Sequence, residues 1–428
     1  MGWIRRLAAL AFGLGLLTAP GFSRALAEGL RAGTAKIDIT PTEPVAMAGY
    51  ESRKDLSRGV HDPLSARALV FEQNGSHLVL VSVENLGFYN GTAEPLRNAI
   101  LEASHIKPSE LFLCAIHTHS APTLALDPAR FPASNVAYTK ALEGKLAKLV
   151  RTALGRLAPA DLGVGSGSSP VGVNRREVVQ DKSGQKRIIL GRNPWVITDR
   201  EVQVLKVQDQ ATDKSAAVLF AYATHSTSLG PHNYLISGDV HGLAAQFLER
   251  YFGQGVVTPE FAGASGDIDP WVRVLPGFRT NNGWVPEPIL MGTMLGEEVA
   301  RVAERIQPQP ASGPIKTLYR TLELPAKSQS DTSGAADQTV PFVITVGRLG
   351  DIGFVGLGGE VFNELGKRIK TASPFRMTFI LTHCNGAAGY VPTRQSYPQG
   401  GYEVQSSPFA PGSGERIAAE AVRMLREL

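Results

Sequence analysis

The sequence predicts an α/β fold in which helices pack on the faces of a mixed sheet, and two observations support this class. Short apolar runs rich in β-branched residues alternate along the chain with longer segments of helical periodicity, a pattern typical of buried strands covered by helices. The 428 residues are also 43% hydrophobic and 19% charged, the balance of an ordinary globular protein. Composition therefore excludes disordered, collagenous and coiled-coil classes.

Each predicted strand is an apolar run bounded by polar or turn-forming residues. In chain order the strands are Ala68–Glu72, His77–Val83, Leu111–Ile116, Val202–Val207, Ala216–Ala223, Phe342–Val346, Ile352–Leu357 and Met377–Leu381. Each predicted helix repeats apolar residues at spacings of three and four. These helices are Thr92–Ala103, Val136–Leu154, Val240–Phe252, Glu287–Ile306, Val361–Ile369 and Gly414–Leu428. The polar segment Ser328–Asp337 predicts a surface loop, and we interpret residues 28–428 as one domain.

The amino terminus predicts an exported protein. A short cationic start precedes the apolar run Leu7–Ala19, which is too short to span a bilayer comfortably, and Ala25-Leu26-Ala27 is a small-residue cleavage signature. This pattern indicates a cleaved signal peptide over residues 1–27 and a secreted or periplasmic mature chain; an uncleaved anchor is the alternative. Removing these residues takes three arginines from the 43 basic residues and leaves 40 against 39 acidic ones. A nucleic-acid partner is therefore not expected.

Histidines and a glutamate follow three of the predicted strands. His117 and His119 come directly after one strand, and side-chain alternation predicts that both point the same way. His225 follows a second strand, and Glu360 follows a third through two glycines. Ligand sites of open α/β sheets lie at the carboxyl ends of strands, and imidazole and carboxylate ligands suit Zn²⁺. The sequence therefore predicts a metal site at these strand ends.

The two cysteines leave two alternatives open. Cys114 lies on a predicted strand that leads into this site, and Cys384 follows another such strand, so the two side chains are expected near each other. In an exported protein they form either a single disulfide or two free buried thiols.

Several motifs, taken in order, resemble the neutral (alkaline, non-lysosomal) ceramidase family from about Ala32 to the carboxyl terminus. Any one of them is weak, but their order and spacing make the resemblance specific. They are Ala32-Gly33-Thr34-Ala35-Lys36-Ile37-Asp38-Ile39-Thr40-Pro41, Met47-Ala48-Gly49-Tyr50, His117-Thr118-His119-Ser120, Asn174-Arg175, Leu235-Ile236-Ser237-Gly238-Asp239, Gly358-Gly359-Glu360, Tyr390-Val391-Pro392-Thr393 and Tyr402-Glu403. The resemblance implies a zinc hydrolase core and a catalytic domain over residues 28–428, here without the immunoglobulin-like domain that long family members carry.

The resemblance also implies roles for individual residues. One zinc ion would be bound by His117, His225, Glu360 and Tyr390. His119 would face the substrate as an acid or transition-state donor. Arg175 and Tyr402 would line the same pocket. For each of these residues a purely structural role is the alternative.

The chain departs from the family where Gly266-Asp267-Ile268-Asp269-Pro270-Trp271 replaces a G-D-V-S-P-N block. Asp269 stands in place of the family's serine, and we interpret it as a catalytic residue. It would accept a proton, contact the substrate, or cap the turn before Pro270.

The implied activity is hydrolysis of the N-acyl amide of ceramide-like lipids by a zinc-activated water. Another N-acyl amide or an ester as substrate, or a non-catalytic zinc-containing binding protein, are the alternatives. The implied partner is a lipid amide, peripheral contact with a membrane stays open, and no protein partner is implied.

Overall fold

A computed structural model describes residues 29–253, 255–272, 286–311, 313–327 and 338–428. The predicted signal peptide and the predicted loop Ser328–Asp337 lie outside these residues. Among the described residues, no helix combines the length and the apolar character needed to cross a bilayer.

Within these ranges the chain forms 20 strands and seven α-helices. The strands are β1 (Arg31–Asp38), β2 (Gly59–Val60), β3 (Ser65–Gln73), β4 (Ser76–Val83), β5 (Leu111–Ala115), β6 (Ala158–Ser168), β7 (Gly172–Gln180), β8 (Lys186–Asn193), β9 (Glu201–Asp209), β10 (Ser215–Tyr222), β11 (Leu235–Ile236), β12 (Glu260–Ala262), β13 (Ile268–Pro270), β14 (Gln309–Pro310), β15 (Ile315–Pro325), β16 (Thr339–Leu349), β17 (Ile352–Leu357), β18 (Glu360–Val361), β19 (Met377–Leu381) and β20 (Tyr390–Val391). The helices are α1 (Ala93–Ser104), α2 (Ala133–Leu154), α3 (Asp239–Phe252), α4 (Pro286–Arg305), α5 (Asn363–Ala372), α6 (Tyr402–Ser406) and α7 (Ser413–Glu427).

Two sheets stacked face to face form the centre of the fold. The larger sheet has nine strands and runs β12-β10-β9-β6-β1-β3-β4-β5, with β14 paired to β6. Its β4–β5 and β10–β12 pairs are parallel and its other pairs antiparallel, so the sheet is mixed as predicted. The smaller sheet runs β15-β16-β17-β19. Helices cover the outer face of each sheet, which gives a four-layer α/β/β/α arrangement.

Alternating side chains along each strand explain these layers. In β4, Leu78 and Leu80 pack between the two sheets, whereas Val79 and Val81 pack under α1 and α2. In β10 the same alternation places every second residue against α3 and α4. A strand whose two faces are both buried carries a continuous apolar run, because no side chain meets solvent. The outer face of the smaller sheet is covered by α5 and α7.

The two cysteines lie opposite each other in an isolated antiparallel bridge, Cys114 with Cys384. Both are free thiols and both are buried in the structure. Their predicted proximity is therefore confirmed, and of the two alternatives the structure has the free thiols.

Candidate metal centre and its surroundings

The first histidine of the site sits in a turn beyond the end of β5. The strand ends at Ala115, and His117 adopts a left-handed backbone conformation with φ of 63°. Its Nδ1 lies 2.7 Å from the Leu86 carbonyl oxygen, so this nitrogen carries the proton and donates, and Nε2 keeps its lone pair. The prediction that His117 and His119 point into one site is confirmed, although a turn and not the pleat of a strand sets the direction of the His117 ring.

The second histidine, His225, lies just beyond the end of β10 and is fully buried. Its Nδ1 lies 2.8 Å from the Ser265 carbonyl oxygen and 3.0 Å from that of Ile268. This nitrogen also donates to carbonyl oxygen, so Nε2 again presents a lone pair to the site. Backbone carbonyls that orient imidazoles in this way are common behind metal-binding histidines.

The carboxylate comes from a two-residue parallel ladder, in which Glu360 of β18 is the register partner of Tyr390 of β20. Its Oε2 lies 3.3 Å from Nε2 of His117 and 3.5 Å from Nε2 of His225. Its other oxygen, Oε1, accepts a hydrogen bond of 2.9 Å from the hydroxyl of Tyr89. The carboxylate is thus fixed from one side, and its second oxygen points at two imidazole lone pairs.

His119 completes a cluster of three imidazoles. Its Nε2 lies 3.3 Å from Nε2 of His117, and one ligand atom from each of His117, His119 and His225 lies within 4.8 Å of the others. A Cβ on Gly49, whose φ is 98°, would stand 2.4 Å from Nδ1 of His119. A glycine is therefore required at position 49 for this ring to occupy its place.

This cluster fits a metal ion on its own chemistry. Among the residues that the structure describes, Nε2 of His225 and Oε2 of Glu360 are buried and have no hydrogen-bond partner. Buried polar atoms are almost always satisfied, so two orphaned acceptors that face the same point need an explanation. A cation placed among imidazole nitrogens and a carboxylate oxygen would satisfy them together, and nitrogen and oxygen donors of this kind suit Zn²⁺.

The electrostatics of the cluster favour neutral imidazoles around an ionised carboxylate. Burial, and then the neighbouring His117, hold the pKa of His119 well below its usual range. Burial likewise lowers the pKa of His225 to about 4. Burial alone would raise the pKa of Glu360, but the neighbouring imidazoles, His117 first, outweigh it and hold that pKa well below its usual range. These are the protonation states that a metal requires of its ligands.

Arg175 reaches the site from β7 and is held by three partners. Its Nε donates to Glu403 at 2.8 Å, its Nη1 to Asp269 at 3.2 Å, and its Nη2 to the hydroxyl of Tyr390 at 3.0 Å. Although burial disfavours its charge, Tyr390, Asp269 and Glu403 raise the pKa of Arg175 well above its usual value. The guanidinium is therefore a fixed positive charge beside Tyr390.

Asp269 is buried between two arginines. Its Oδ1 accepts from Arg175, and its Oδ2 accepts from Arg192 at 3.1 Å. It lies in β13, which pairs antiparallel with β7, and is the register partner of Val173. The turn-capping alternative is wrong, because residues 268–270 form a strand.

Two tyrosines complete the surroundings. Burial raises the pKa of Tyr390 well above its usual value, and its hydroxyl accepts from Arg175. Tyr402 begins α6, with its ring 5.6 Å from that of Tyr390, and is 47% exposed. It therefore stands between the buried cluster and solvent.

Three residues near the cluster were not among the predicted site residues. Tyr89 donates to Glu360, Glu403 holds Arg175, and the ring of His383 stacks on that of His117 at a centroid distance of 4.0 Å. Glu403 directly follows Tyr402 in a quoted motif, so its place beside a site residue was a usable signal. Nothing in the local sequence marks Tyr89.

Comparison with known proteins identifies the class and then the family. The fold is that of ceramidases: a solved neutral ceramidase from Pseudomonas aeruginosa superposes with a TM-score of 0.76 at 20% identity, covering 93% of this chain and 74% of that one. A second solved chain, described as a ceramidase complexed with C2, gives a TM-score of 0.75, also at 20% identity, over 93% of this chain and 75% of that chain.

A sequence profile described as "Neutral/alkaline non-lysosomal ceramidase, N-terminal" matches residues 30–272. The chain belongs to this family. The neutral ceramidase of Pseudomonas aeruginosa is 28% identical over 259 residues, which are 58% of this chain and 38% of that protein. The neutral ceramidase of Oryza sativa subsp. japonica is 26% identical over 249 residues, 55% of this chain and 31% of that protein. The chain thus aligns with only about a third of the length of these relatives.

Proposed function

We propose that the protein is an exported, zinc-dependent amide hydrolase that cleaves the N-acyl bond of ceramide-like lipids. The observation that carries the proposal is the pair of orphaned buried acceptors, Nε2 of His225 and Oε2 of Glu360, converging beside the lone pair of His117 in a member of the ceramidase family. The signal peptide over residues 1–27 and the single catalytic domain over residues 28–428 are part of the same proposal.

His117, His225 and Glu360 would hold the zinc ion, with Tyr390 as the fourth ligand that the family resemblance implies. Zinc in such a site would lower the pKa of a bound water far below that of bulk water, to about 7, and would polarise a carbonyl group. The pKa of Glu360 is held well below its usual range and that of His225 is lowered to about 4, so binding the cation costs no prior deprotonation of these two groups.

The chain's own side chains account for the remaining requirements of hydrolysis. The C–N bond of the amide breaks and a C–O bond to water forms, so the acyl group leaves as a fatty acid and the amine must gain a proton. His119, held against Gly49, would take a proton from the attacking water and pass it to the amine. Arg175 places a fixed positive charge where oxyanion charge develops. Tyr402, at the mouth of the site, would orient the substrate.

Asp269 is proposed to take part in turnover as a positioning residue. Both of its oxygens already accept hydrogen bonds from guanidinium groups, so its evident action is to hold Arg175 against Tyr390 together with Glu403. This geometry favours positioning over the acceptance of a proton from water.

The direct test is turnover by the purified full chain loaded with zinc. Release of free fatty acid and sphingoid base from ceramide, measured by mass spectrometry, supports the proposal when His117→Ala abolishes it. A different N-acyl amide or an ester is the runner-up substrate. This runner-up substrate would be favoured if Asp269→Ser hydrolysed ceramide and the wild type did not. Zinc binding without hydrolysis of any amide or ester would favour the non-catalytic alternative.

A further inference from the structure

Exposed apolar side chains concentrate around one hairpin. Among the described residues, 13 large hydrophobic side chains are exposed, and eight of them lie on the β7–β8 hairpin, the loop that follows it, or the two segments it contacts. We call these eight the hairpin surface: Val178, Ile189, Leu190, Trp195, Val196, Ile197, Trp271 and Tyr402. A cluster of this kind on a water-exposed face marks an interaction site, whereas scattered apolar residues do not.

The tip of this surface is the loop after β8. Trp195 is 90% exposed and Ile197 is 85% exposed. The loop is held by Asn193, whose side-chain oxygen accepts from the backbone nitrogen of Trp195 at 3.3 Å and whose amide donates to the Arg176 carbonyl at 2.9 Å. The two most exposed apolar side chains therefore project from an anchored loop.

The same segment is strongly basic at its surface. Between residues 181 and 200 the exposed ionisable side chains are Lys182, Lys186, Arg187 and Arg200 against Asp181 alone. The chain beyond residue 27 is nearly neutral, with 40 basic and 39 acidic residues, counted by removing the three arginines of residues 1–27. Positive charge is therefore concentrated on this hairpin: Lys182, Lys186 and Arg187 lie at its turn, and Arg200 follows the apolar loop at the other end of β8.

This surface is joined directly to the candidate metal centre. Arg192 of β8 donates to Asp269 at 3.1 Å and to the Trp271 carbonyl at 3.4 Å. A Cβ on Gly401, the residue before Tyr402, would stand 2.9 Å from the side chain of Ile188 in β8. Arg175, on the partner strand β7, reaches Tyr390. The hairpin thus links the mouth of the site to the exposed tip.

We propose that the hairpin surface docks the protein on an anionic phospholipid membrane. Trp195 and Ile197 enter the interface between headgroups and acyl chains, and the exposed cations contact the headgroups. This inference deepens the proposed function and rests on it, because a lipid amide dissolved in a bilayer reaches the site only at the membrane surface. Tryptophan is favoured at that interface, and each lysine or arginine near an anionic leaflet strengthens binding. The hairpin offers such a leaflet an apolar loop at one end of β8 and an excess of basic side chains at the other.

Vesicle co-sedimentation of the full chain tests the docking without any need for turnover. The probes are vesicles of phosphatidylcholine alone and of equal parts phosphatidylcholine and phosphatidylglycerol. The wild type should bind the anionic vesicles more tightly. Trp195→Ser with Ile197→Ser should weaken binding by about tenfold or more. Neutralising Lys182, Lys186 and Arg187 to Gln should weaken it on the order of 10²-fold.

A matched control removes the same number of charges elsewhere. Lys140, Lys148 and Arg151 are exposed on α2, which packs on a distant part of the larger sheet, and their change to Gln should leave most of the anionic-vesicle affinity intact. Equal losses in both triple variants would show that net charge, not this surface, sets binding, and would overturn the proposal. Sedimentation velocity checks the other occupant: a wild-type dimer that Trp195→Ser with Ile197→Ser makes monomeric would assign the surface to self-association.

Measurements of turnover distinguish a failure of the membrane-docking proposal from a failure of the proposed function. The double variant Trp195→Ser with Ile197→Ser, called the tip variant, should hydrolyse a short-chain N-acyl amide that is dissolved as a monomer at the wild-type rate. Its rate on the same amide headgroup embedded in anionic vesicles should fall by about tenfold. Hydrolysis of both substrates at wild-type rates by the tip variant, with unchanged vesicle binding, refutes the docking surface and leaves the hydrolase intact. Vesicle binding that depends on the hairpin surface without any hydrolysis refutes the hydrolase alone.

Discussion

Two buried carboxylates of the same site have opposite surroundings. Glu360 has one oxygen fixed by Tyr89 and the other aimed, without a hydrogen-bond partner, at two imidazole nitrogens. Asp269 has both oxygens engaged by guanidinium groups. A carboxylate that is already paired with cations of the protein has little to gain from a metal ion, whereas an orphaned one lacks a positive partner. The comparison teaches that the region around Glu360 lacks a positive partner that a cation could supply, whereas the region around Asp269 already has its positive partners in Arg175 and Arg192.

The largest effect should follow from removing the histidines that face Glu360. His117→Ala and His225→Ala should each lose stoichiometric zinc and lower kcat by about 10³-fold or more, because several kcal/mol of transition-state stabilisation depend on the ion. Metal analysis after dialysis against a chelator measures the first effect. His232→Ala, an exposed histidine, is the control and should keep its zinc. Full retention of zinc by both site variants would contradict the assignment of these ligands.

Matched amide substitutions compare the two carboxylates directly. Glu360→Gln should release zinc, whereas Asp269→Asn should keep it, because only the first carboxylate faces the imidazole cluster. For Asp269→Asn we expect kcat to fall by about 10–10²-fold through a loosened Arg175. A loss of 10³–10⁴-fold together with a missing basic limb of the pH–rate profile would instead show that Asp269 accepts a proton.

A smaller effect should come from the hydroxyl that fixes Glu360. Tyr89→Phe removes the donor to Oε1 and keeps the ring, so zinc affinity should fall by about 10–100-fold, the usual cost of losing a partner behind a metal ligand. Competition with a chelator of known affinity measures the change. Tyr138→Phe removes a hydroxyl bonded to a backbone carbonyl far from the cluster and should leave zinc affinity unchanged. Equal zinc affinities for Tyr89→Phe and the wild type would show that the Tyr89 hydroxyl does not contribute to zinc binding.

A separate effect, on stability and not on zinc or turnover, concerns a third buried carboxylate, Asp267, whose oxygens accept hydrogen bonds from the Asn174 amide and the Asn363 backbone nitrogen. Burial raises its pKa from 3.8 to about 6. The folded state therefore binds this proton more tightly than the unfolded state. Its contribution to stability is fully present below pH 3.8 and is lost as pH rises through 6. A shift of this size corresponds to about 3 kcal/mol.

Asp267→Asn should flatten this part of the stability profile. Urea unfolding at a series of pH values measures the free energy of unfolding for both proteins, and the variant should gain relative to the wild type as pH rises. An identical pH dependence in the two proteins would show that Asp267 does not titrate in this interval.

Much of the fold was readable in the sequence because its central strands are buried on both faces. The strands Ile352–Leu357 and Met377–Leu381 were predicted with their observed bounds, and each of the predicted helices has an observed counterpart. Val361–Ile369 was predicted as helix, yet Val361 lies in β18 and the helix begins at Asn363. The pairing of β18 with β20 decides that boundary, and no local pattern encodes it.

Among the strands that were missed, β6, β7 and β8 lack a local apolar pattern. The β7–β8 hairpin is partly exposed and rich in charged residues, so it lacks the apolar run that marks a buried strand. In β6 glycines replace apolar residues, because α4 and the segment after it lie too close for side chains at Gly163 and Gly165. In both cases tertiary contacts, not local propensity, make the strand.

The residues of the site also differ in whether a local sequence pattern could predict them. His117, His225 and Glu360 were found because each follows an apolar strand, and the structure brings them together. Tyr89 acts only through its contact with Glu360, which is distant in sequence, so no local spacing marks it, whereas Glu403 directly follows Tyr402 in a quoted motif. The positions of Arg175 and Tyr402 came from the family resemblance alone.

The short β18–β20 ladder has a consequence for the order in which the protein is made. His117 and His225 lie within the first 272 residues, but Glu360 and its register partner Tyr390 lie beyond them. A ribosome releases the chain from its amino terminus, and the sheets can begin to assemble during synthesis. The imidazole cluster nevertheless stays without its carboxylate until residue 360 has emerged. Chains truncated between His225 and Glu360 would carry the histidines of the site and lack the negative charge that completes it.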